Sequence, residues 1–273
     1  MRIISLTTIP PRFSVIQPTL LSLLRQRTAM DEIRLYVPRR YRRFPDYDGA
    51  APQVPEGISV IRTDDDLGPA SKVLFAVRDF AGTDASILFC DDDRLFRSDW
   101  AGGLFEAQAE RPDECVALLG KTLKGPRQSA IEPRAIRRGR SIDAEYRLRQ
   151  IRSLIKGALS RSPVEPETRR KIRSAGYADI LLGLGGVVVR PHFFDDVAYQ
   201  IPDVCWGVDD VWLSGMLARR GIRIWLPQDL QKPAAADAGD VDPLYKSAVA
   251  GHRRSEANSG SIRYLQEHFG IWR

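Results

Sequence analysis

At 273 residues, with 43% hydrophobic and 28% charged side chains, the chain can bury a full core as one large domain, which excludes a disordered tail. The net charge of +6 is local, since Lys121 to Arg173 carries +11 and the remainder −5, so the chain is not a uniformly basic nucleic-acid binder. Cys90, Cys115 and Cys205 lack the close spacing of a zinc site and the even count of a disulfide framework, and no run approaches a membrane span, so a cytoplasmic location is expected.

Arg2 to Ile9 is a β-rich apolar run that stops at Pro10-Pro11, too soon for a secretory signal, and it reads as the first strand. Thr7-Thr8-Ile9-Pro10-Pro11-Arg12 then forms a loop at its carboxyl end, with hydroxyls and Arg12 as handles for a ligand; the plainer alternative is that the prolines only end the strand. Ile16, Leu20, Leu23 and Leu24 give a helical stripe between Val15 and Gln26, and Glu32 to Val37 reads as a second strand. Arg39 to Tyr47 mixes aromatic and Arg residues, the Pro and Gly residues from Pro45 to Gly57 mark an irregular connection, and Ile58 to Ile61 is a short third strand. In Thr63-Asp64-Asp65-Asp66-Leu67-Gly68-Pro69-Ala70-Ser71-Lys72, Gly68-Pro69 breaks the chain just before a helix expected from about Ala70 to Phe80. Lys72 therefore lies in a first turn, where a cation opposes the helix dipole; an anionic ligand or a nearby aspartate is its natural partner, a plain pairing with Asp66 being the bland alternative.

Ser86-Ile87-Leu88-Phe89-Cys90-Asp91-Asp92-Asp93 organises the chain. Its apolar run reads as a strand buried on both faces, typical of a parallel α/β sheet, yet it ends in three acids. Side chains alternate along an extended chain, so Asp91 and Asp93 share a side and make a chelating pair for a divalent cation. Magnesium-like ions are held by one or two carboxylates with substrate phosphates completing the shell, so the pair predicts a phosphorylated ligand; a solvated acidic turn is the alternative.

Ser98-Asp99-Trp100 opens a helix to about Glu110, and Val116 to Leu119 is a further strand. Within the basic segment, Ala144, Leu148, Ile151, Ile155 and Ala158 repeat at helical spacing with Arg147, Arg149, Arg152 and Lys156 on other faces, giving a basic amphipathic helix over about 144–159. Packing on the domain, or covering an acceptor site, ranks ahead of contact with an anionic membrane. Gly183, Gly185 and Gly186 precede the strand Val187-Val188-Val189; glycines there let a backbone or a ligand approach, which makes Gly185 and Gly186 candidates for ligand binding. Trp206-Gly207-Val208-Asp209-Asp210-Val211 starts a helix whose first turn carries both acids, and the macrodipole accounts for only one of them. A strand over Ile222 to Leu226 and a final amphipathic helix follow.

Taken in order, the Thr-Thr-Ile-Pro-Pro-Arg strand end, the Asp-Leu-Gly-Pro-Ala-Ser-Lys turn, the Asp-Asp-Asp strand end, the Gly-Gly-Val-Val-Val-Arg-Pro strand and the Val-Asp-Asp-Val-Trp-Leu-Ser helix start resemble GT-A fold nucleotide-sugar glycosyltransferases, most nearly bacterial family-2-like enzymes. The resemblance runs over about 1–226 and has no counterpart for the basic segment. It implies a Rossmann-like α/β fold with a mostly parallel central sheet flanked by helices. The expected layout is one domain over 1–273, with a basic helical insertion at about 124–176 and a C-terminal extension at about 228–273.

The resemblance further implies that Asp91 and Asp93, with Mn2+ or Mg2+, hold the donor diphosphate, and that Asp92 touches the ribose. Thr8, Pro10 and Arg12 would border the base, and Asp66 and Lys72 the nucleoside and phosphate. Asp209 or Asp210, with Asp209 slightly preferred, would be the base of an inverting transfer, and His252 falls where some GT-A enzymes place a metal or phosphate ligand. A UDP-sugar is favoured as donor, and a glycan or glycolipid as acceptor, in polysaccharide biosynthesis; the glycolipid would suit a peripheral site at the inner face of the membrane. The competing readings are a haloacid-dehalogenase-like phosphatase, whose first motif wants Thr or Val where this chain has Leu95, and a non-catalytic protein binding a membrane or nucleic acid through its basic segment. With Tyr146 as its one aromatic residue, that segment lacks the stacking platforms of single-strand binders, so nucleic acid is not expected.

Overall fold

The computed structural model describes residues 1–123, 132–138, 144–160, 165, 167–242 and 254–273. Among them the main sheet has eight strands, numbered here along the chain: β1 (Arg2–Thr7), β2 (Glu32–Pro38), β3 (Ser59–Thr63), β4 (Ser86–Phe89), β5 (Cys115–Ala117), β6 (Gly176–Ala178), β7 (Val187–Val189) and β8 (Ile224–Leu226). Their spatial order is β6-β8-β5-β7-β4-β1-β2-β3. The pairs β3-β2, β2-β1, β1-β4 and β5-β8 are parallel, while β7 runs antiparallel to both β4 and β5, and β6 antiparallel to β8. The expected mixed α/β architecture of GT-A type, mostly parallel and flanked by helices, is the one observed.

Strand alternation divides the core cleanly. Ile3, Ile87, Phe89, Val187 and Val189 pack on one face with Val73, Leu74 and Val77 of α2 (Ser71–Asp79), Leu213 and Leu217 of α5 (Asp209–Arg219) and Leu265 of α6 (Arg254–Phe269). Ile4, Leu6, Leu88, Val116 and Val188 face the other way, onto Leu20 and Leu23 of α1 (Gln17–Leu24) and Leu104 of α3 (Trp100–Ala109). That two-sided burial explains why the central strands read as continuous apolar runs without polar alternation. The expected strand over Val116 to Leu119 ends earlier, because Leu118 and Leu119 turn away to bond the Leu182–Gly186 backbone. The helix α4 (Ala144–Ser160) lies between β5 and β6 in sequence, preceded by the short strand Ile136–Arg137, which pairs antiparallel with Ile172–Ser174 on the helix's far side in sequence.

One glycine in the turn before β7 is required by packing. Gly186 has φ +95°, and a Cβ there would sit 2.4 Å from the Trp100 ring, whose Nε1–H donates to the Gly185 carbonyl at 2.8 Å. Gly186→Ala is therefore expected to lower unfolding free energy by about 2–3 kcal/mol, from left-handed strain plus displacement of Trp100. Urea denaturation with an unchanged slope would show it; a loss below about 0.5 kcal/mol would mean the turn yields freely.

Candidate functional site

The carboxyl ends of β1, β3 and β4 converge on one rim, where open α/β sheets place their ligands. A cavity of about 710 Å³ opens there, within the range of small-molecule sites. Thr8, Arg12, Asp66, Lys72, Asp91, Asp92, Asp93, Asp209 and Asp210 all line it.

The three consecutive aspartates are held differently. Asp92 is buried: Thr8 Oγ1–H donates to its Oδ2 at 2.6 Å, Arg12 Nη1–H donates to its Oδ1 at 2.5 Å, and its carbonyl accepts from Thr19 Oγ1 at 2.9 Å. Burial pushes its carboxyl up, against the pull of Arg12 and Thr8. Asp92 thus ties the loop after β1 to the end of β4, and with both oxygens engaged it acts as a brace. Arg12 also donates through Nε to the Val241 carbonyl at 3.0 Å, joining the segment around Val241 to the same brace. Pro10 opens the 3-10 turn Pro10–Arg12 that aims Arg12, and does not itself line the cavity.

Asp91 and Asp93 flank the brace and meet other partners. Lys72 Nζ lies 2.6 Å from Asp91 Oδ1 and 2.7 Å from Asp209 Oδ2, so one ammonium joins the end of β4 to the start of α5. Burial alone would lower the Lys72 ammonium, but Asp209, Asp91 and Asp210 outweigh it and hold the pKa well above the ordinary lysine value. Asp66 is not its partner; that carboxylate accepts the backbone N–H of Arg42 at 2.7 Å and of Gly68 at 2.8 Å, shaping the turn before α2. Burial raises Asp66 in spite of both bonds. Asp93 Oδ1 lies 3.0 Å from Arg94 Nε and Oδ2 3.8 Å from Arg12 Nη1.

Val208 leads directly into α5, placing Asp209 and Asp210 in its first turn beneath the cavity. Asp209 is buried against Lys72, whereas Asp210 accepts the Gly183 N–H at 2.9 Å. Burial, reinforced by the negative charge of Asp209, pushes the Asp210 carboxyl up to about 7 despite Lys72 nearby. Gly183 is packed against this pair, since a Cβ there would lie 2.9 Å from Lys72 Nζ. Gly185 and Gly186 are not brought to the cavity: they pack under Leu118, Leu119 and Trp100.

Several lining residues went unselected in the sequence reading. Tyr41, Phe44 and Trp206 form an aromatic wall, with the Tyr41 hydroxyl donating to the Thr8 carbonyl at 2.9 Å and Arg42 stacked 5.1 Å from the Trp206 ring. A Cβ on Gly68 would lie 2.7 Å from that ring, so the Gly68-Pro69 turn and Trp206 shape each other. Ala234–Ala235 pairs with Arg94–Leu95, and Asp242 meets Arg43 at 2.9 Å, laying the segment through Asp242 along the cavity. The signal for Tyr41 and Phe44 was the mixture of aromatic and Arg residues at 39–47, which stays together in space: Arg43 lies 5.2 Å from the Phe44 ring and lines the same cavity.

Among the described residues no three His, Cys, Asp or Glu side chains gather as an all-protein metal cage. A site sharing its cation with a diphosphate needs only one or two carboxylates. Asp93 Oδ1 accepts no hydrogen bond despite Arg94 beside it, and so retains lone pairs for a cation. His252 lies outside the described residues.

No protein-family model matches the chain, and no curated protein matches its sequence. Among solved structures it is similar to residues 1–349 of S. aureus TarS, at 13% identity over 98% of this chain and 71% of that one, with a TM-score of 0.46. It is also similar to TarS 1–349 in complex with UDP-GlcNAc, at 13% identity over 98% of this chain and 66% of that one, with a TM-score of 0.52. The likeness is one of fold. The chain spans about two thirds of the length of that complexed protein.

Proposed function

We propose that this protein is a hexosyltransferase-type glycosyltransferase, moving a sugar from a nucleotide-diphosphate sugar, UDP-linked by preference, to a hydroxyl of a glycan or glycolipid with inversion. What carries the reading is the convergence of Asp91, Asp93, Lys72, Asp209 and Asp210 in one cavity at the carboxyl rim of the sheet. The availability of a UDP-GlcNAc complex of a protein with a similar fold supports the donor class. Asp91 and Asp93 would hold Mn2+ or Mg2+, which supplies positive charge to a departing diphosphate. Tyr41, Phe44 and Trp206 offer apolar faces for a base and exclude water from the reacting atoms.

Asp210 takes the part of general base. Asp209 already shares Lys72, while the Asp210 carboxyl, pushed up to about 7, combines ionisation at neutral pH with basicity matched to proton transfer. Asp209 then acts as a positioning residue, holding Lys72 and, through it, Asp91. The preference between the neighbours passes from Asp209 to Asp210 on this ground.

The test is calorimetric titration of UDP, GDP and ADP, with Mn2+ and then with EDTA, into the parent and an Asp91→Ala, Asp93→Ala variant. Binding of one nucleotide that weakens at least about tenfold on losing either the metal or the two carboxylates is expected. Nucleotide binding indifferent to both would remove the metal from this reading, and no binding of any nucleotide would remove the glycosyltransferase. Product configuration by NMR decides inversion.

A further inference from the structure

The basic amphipathic helix is turned opposite to the usual arrangement. In α4 the half-buried side is polar: Tyr146, Arg149, Gln150 and Ser153 face the body. Arg149 there meets Glu145 at 3.0 Å and donates to the Thr168 carbonyl at 3.2 Å, Gln150 donates to the Tyr146 hydroxyl at 2.8 Å, and Glu145 receives Arg138 at 3.1 Å and Arg170 at 2.8 Å. The apolar side points away. Leu148, Ile151, Leu154 and Ile155 are 48%, 54%, 67% and 56% exposed and belong to neither core. They are four of the eight exposed large hydrophobics among the described residues, gathered within two helical turns. The expectation that this stripe packs on the domain is overturned for a physical reason: the inward side is anchored by ion pairs and hydrogen bonds to the 167–170 segment and Arg138, which leaves the stripe outward.

The cations on this helix fall into two groups. Arg149 is consumed by pairing with Glu145 and Glu167, whereas Arg147 and Arg152 are exposed and have no ion-pair partner among the described residues. By helical spacing Arg152 stands beside the apolar stripe, next to Leu148, and Arg147 lies in line with Leu154 two turns before it. A surface with exposed leucine and isoleucine bordered by arginine, on a segment carrying +11, is complementary to an anionic bilayer, where apolar side chains enter the acyl boundary and cations meet headgroup phosphates. A second copy of the chain fits less well, because stripe-to-stripe packing would bring two such cationic segments together.

We infer that α4 docks this protein on an anionic membrane surface, lying in the interface plane with Leu148, Ile151, Leu154 and Ile155 immersed and Arg147 and Arg152 at headgroup level. The inference rests on the helix alone and stands whether or not the cavity binds a nucleotide sugar.

Co-sedimentation of the full chain with vesicles of phosphatidylcholine alone, or with added phosphatidylglycerol, tests it. Binding is expected on the anionic vesicles, at least about tenfold weaker on the neutral ones, and weakened by salt. Ile151→Asp with Leu154→Asp should lower binding at least about tenfold, and Arg147→Gln with Arg152→Gln about tenfold. All four positions are exposed, so circular dichroism and melting should stay unchanged. No anionic-vesicle binding by the parent, or equal binding by the aspartate variant, would overturn the proposal. So would an oligomer, seen by sedimentation velocity, that dissociates in the aspartate variant, since the stripe would then belong to a second copy.

Discussion

Asp210→Asn is expected to slow sugar transfer about a thousandfold while leaving nucleotide affinity within about threefold of the parent, since general-base catalysis contributes of that order and the asparagine carbonyl can still accept the Gly183 N–H. Hydrolysis of the UDP-sugar, with water in place of the acceptor, provides an assay. In the parent, turnover should fall as pH drops through about 7, where the Asp210 carboxylate protonates, and that inflection should vanish in the variant. The same group carries a stability signature of opposite sense. Its folded carboxyl titrates above its unfolded one, so the fold is favoured below the ordinary Asp value and loses that advantage as pH rises toward about 7. The neutral asparagine escapes this loss. At pH 8 the variant should therefore be more stable by up to about 4 kcal/mol, with the gain fading in acid. An active Asp210→Asn enzyme, or an unchanged pH profile, would return the role of base to Asp209; parallel loss of stability and activity would mark Asp210 as structural.

The strands and their acids were legible because each depends on a local pattern. A fully apolar run ending in aspartates can satisfy itself only as a buried strand with its end at a ligand-facing rim, and Ile87, Leu88 and Phe89 are indeed buried on both faces. The Gly68-Pro69 break before α2 was similarly local, and it delivers Lys72 to the cavity. Less legible was how three like residues share the work: alternation separates Asp92 from its neighbours, but only folding reveals that Thr8 and Arg12 from β1's loop occupy both of its oxygens. The glycines near β7 promised a close approach without naming the visitor, and it is the Trp100 ring. Periodicity likewise located the α4 stripe but not its direction, because hydropathy cannot register that Glu145 and Glu167 anchor the opposite side.

Lys72→Met is the second large effect, because one ammonium serves two carboxylates from distant parts of the chain. Asp209 is buried, and with Lys72 replaced its carboxylate keeps no ion-pair partner among the described residues. Breaking a buried pair from one side costs about 3–5 kcal/mol, well above the loss expected from a surface pair. Asp91 is more exposed and contributes the smaller share. The sign with pH is fixed by both partners. Lys72 is held above its ordinary value, so its contribution is complete at neutral pH, persists to the ordinary lysine range and is lost only at higher pH still. At low pH, protonating the abandoned carboxylates relieves the repulsion and should narrow the gap between variant and parent. Urea unfolding from pH 4 to 9 measures this, and a constant gap would show that lost packing of the buried stem, and not charge, had set the cost. Lys72→Arg separates charge from shape: it keeps the charge but needs more room than Gly183 leaves, whose absent Cβ would lie 2.9 Å from Nζ. Recovery of stability without recovery of nucleotide binding would assign the electrostatic bridge to folding and the lysine geometry to the site.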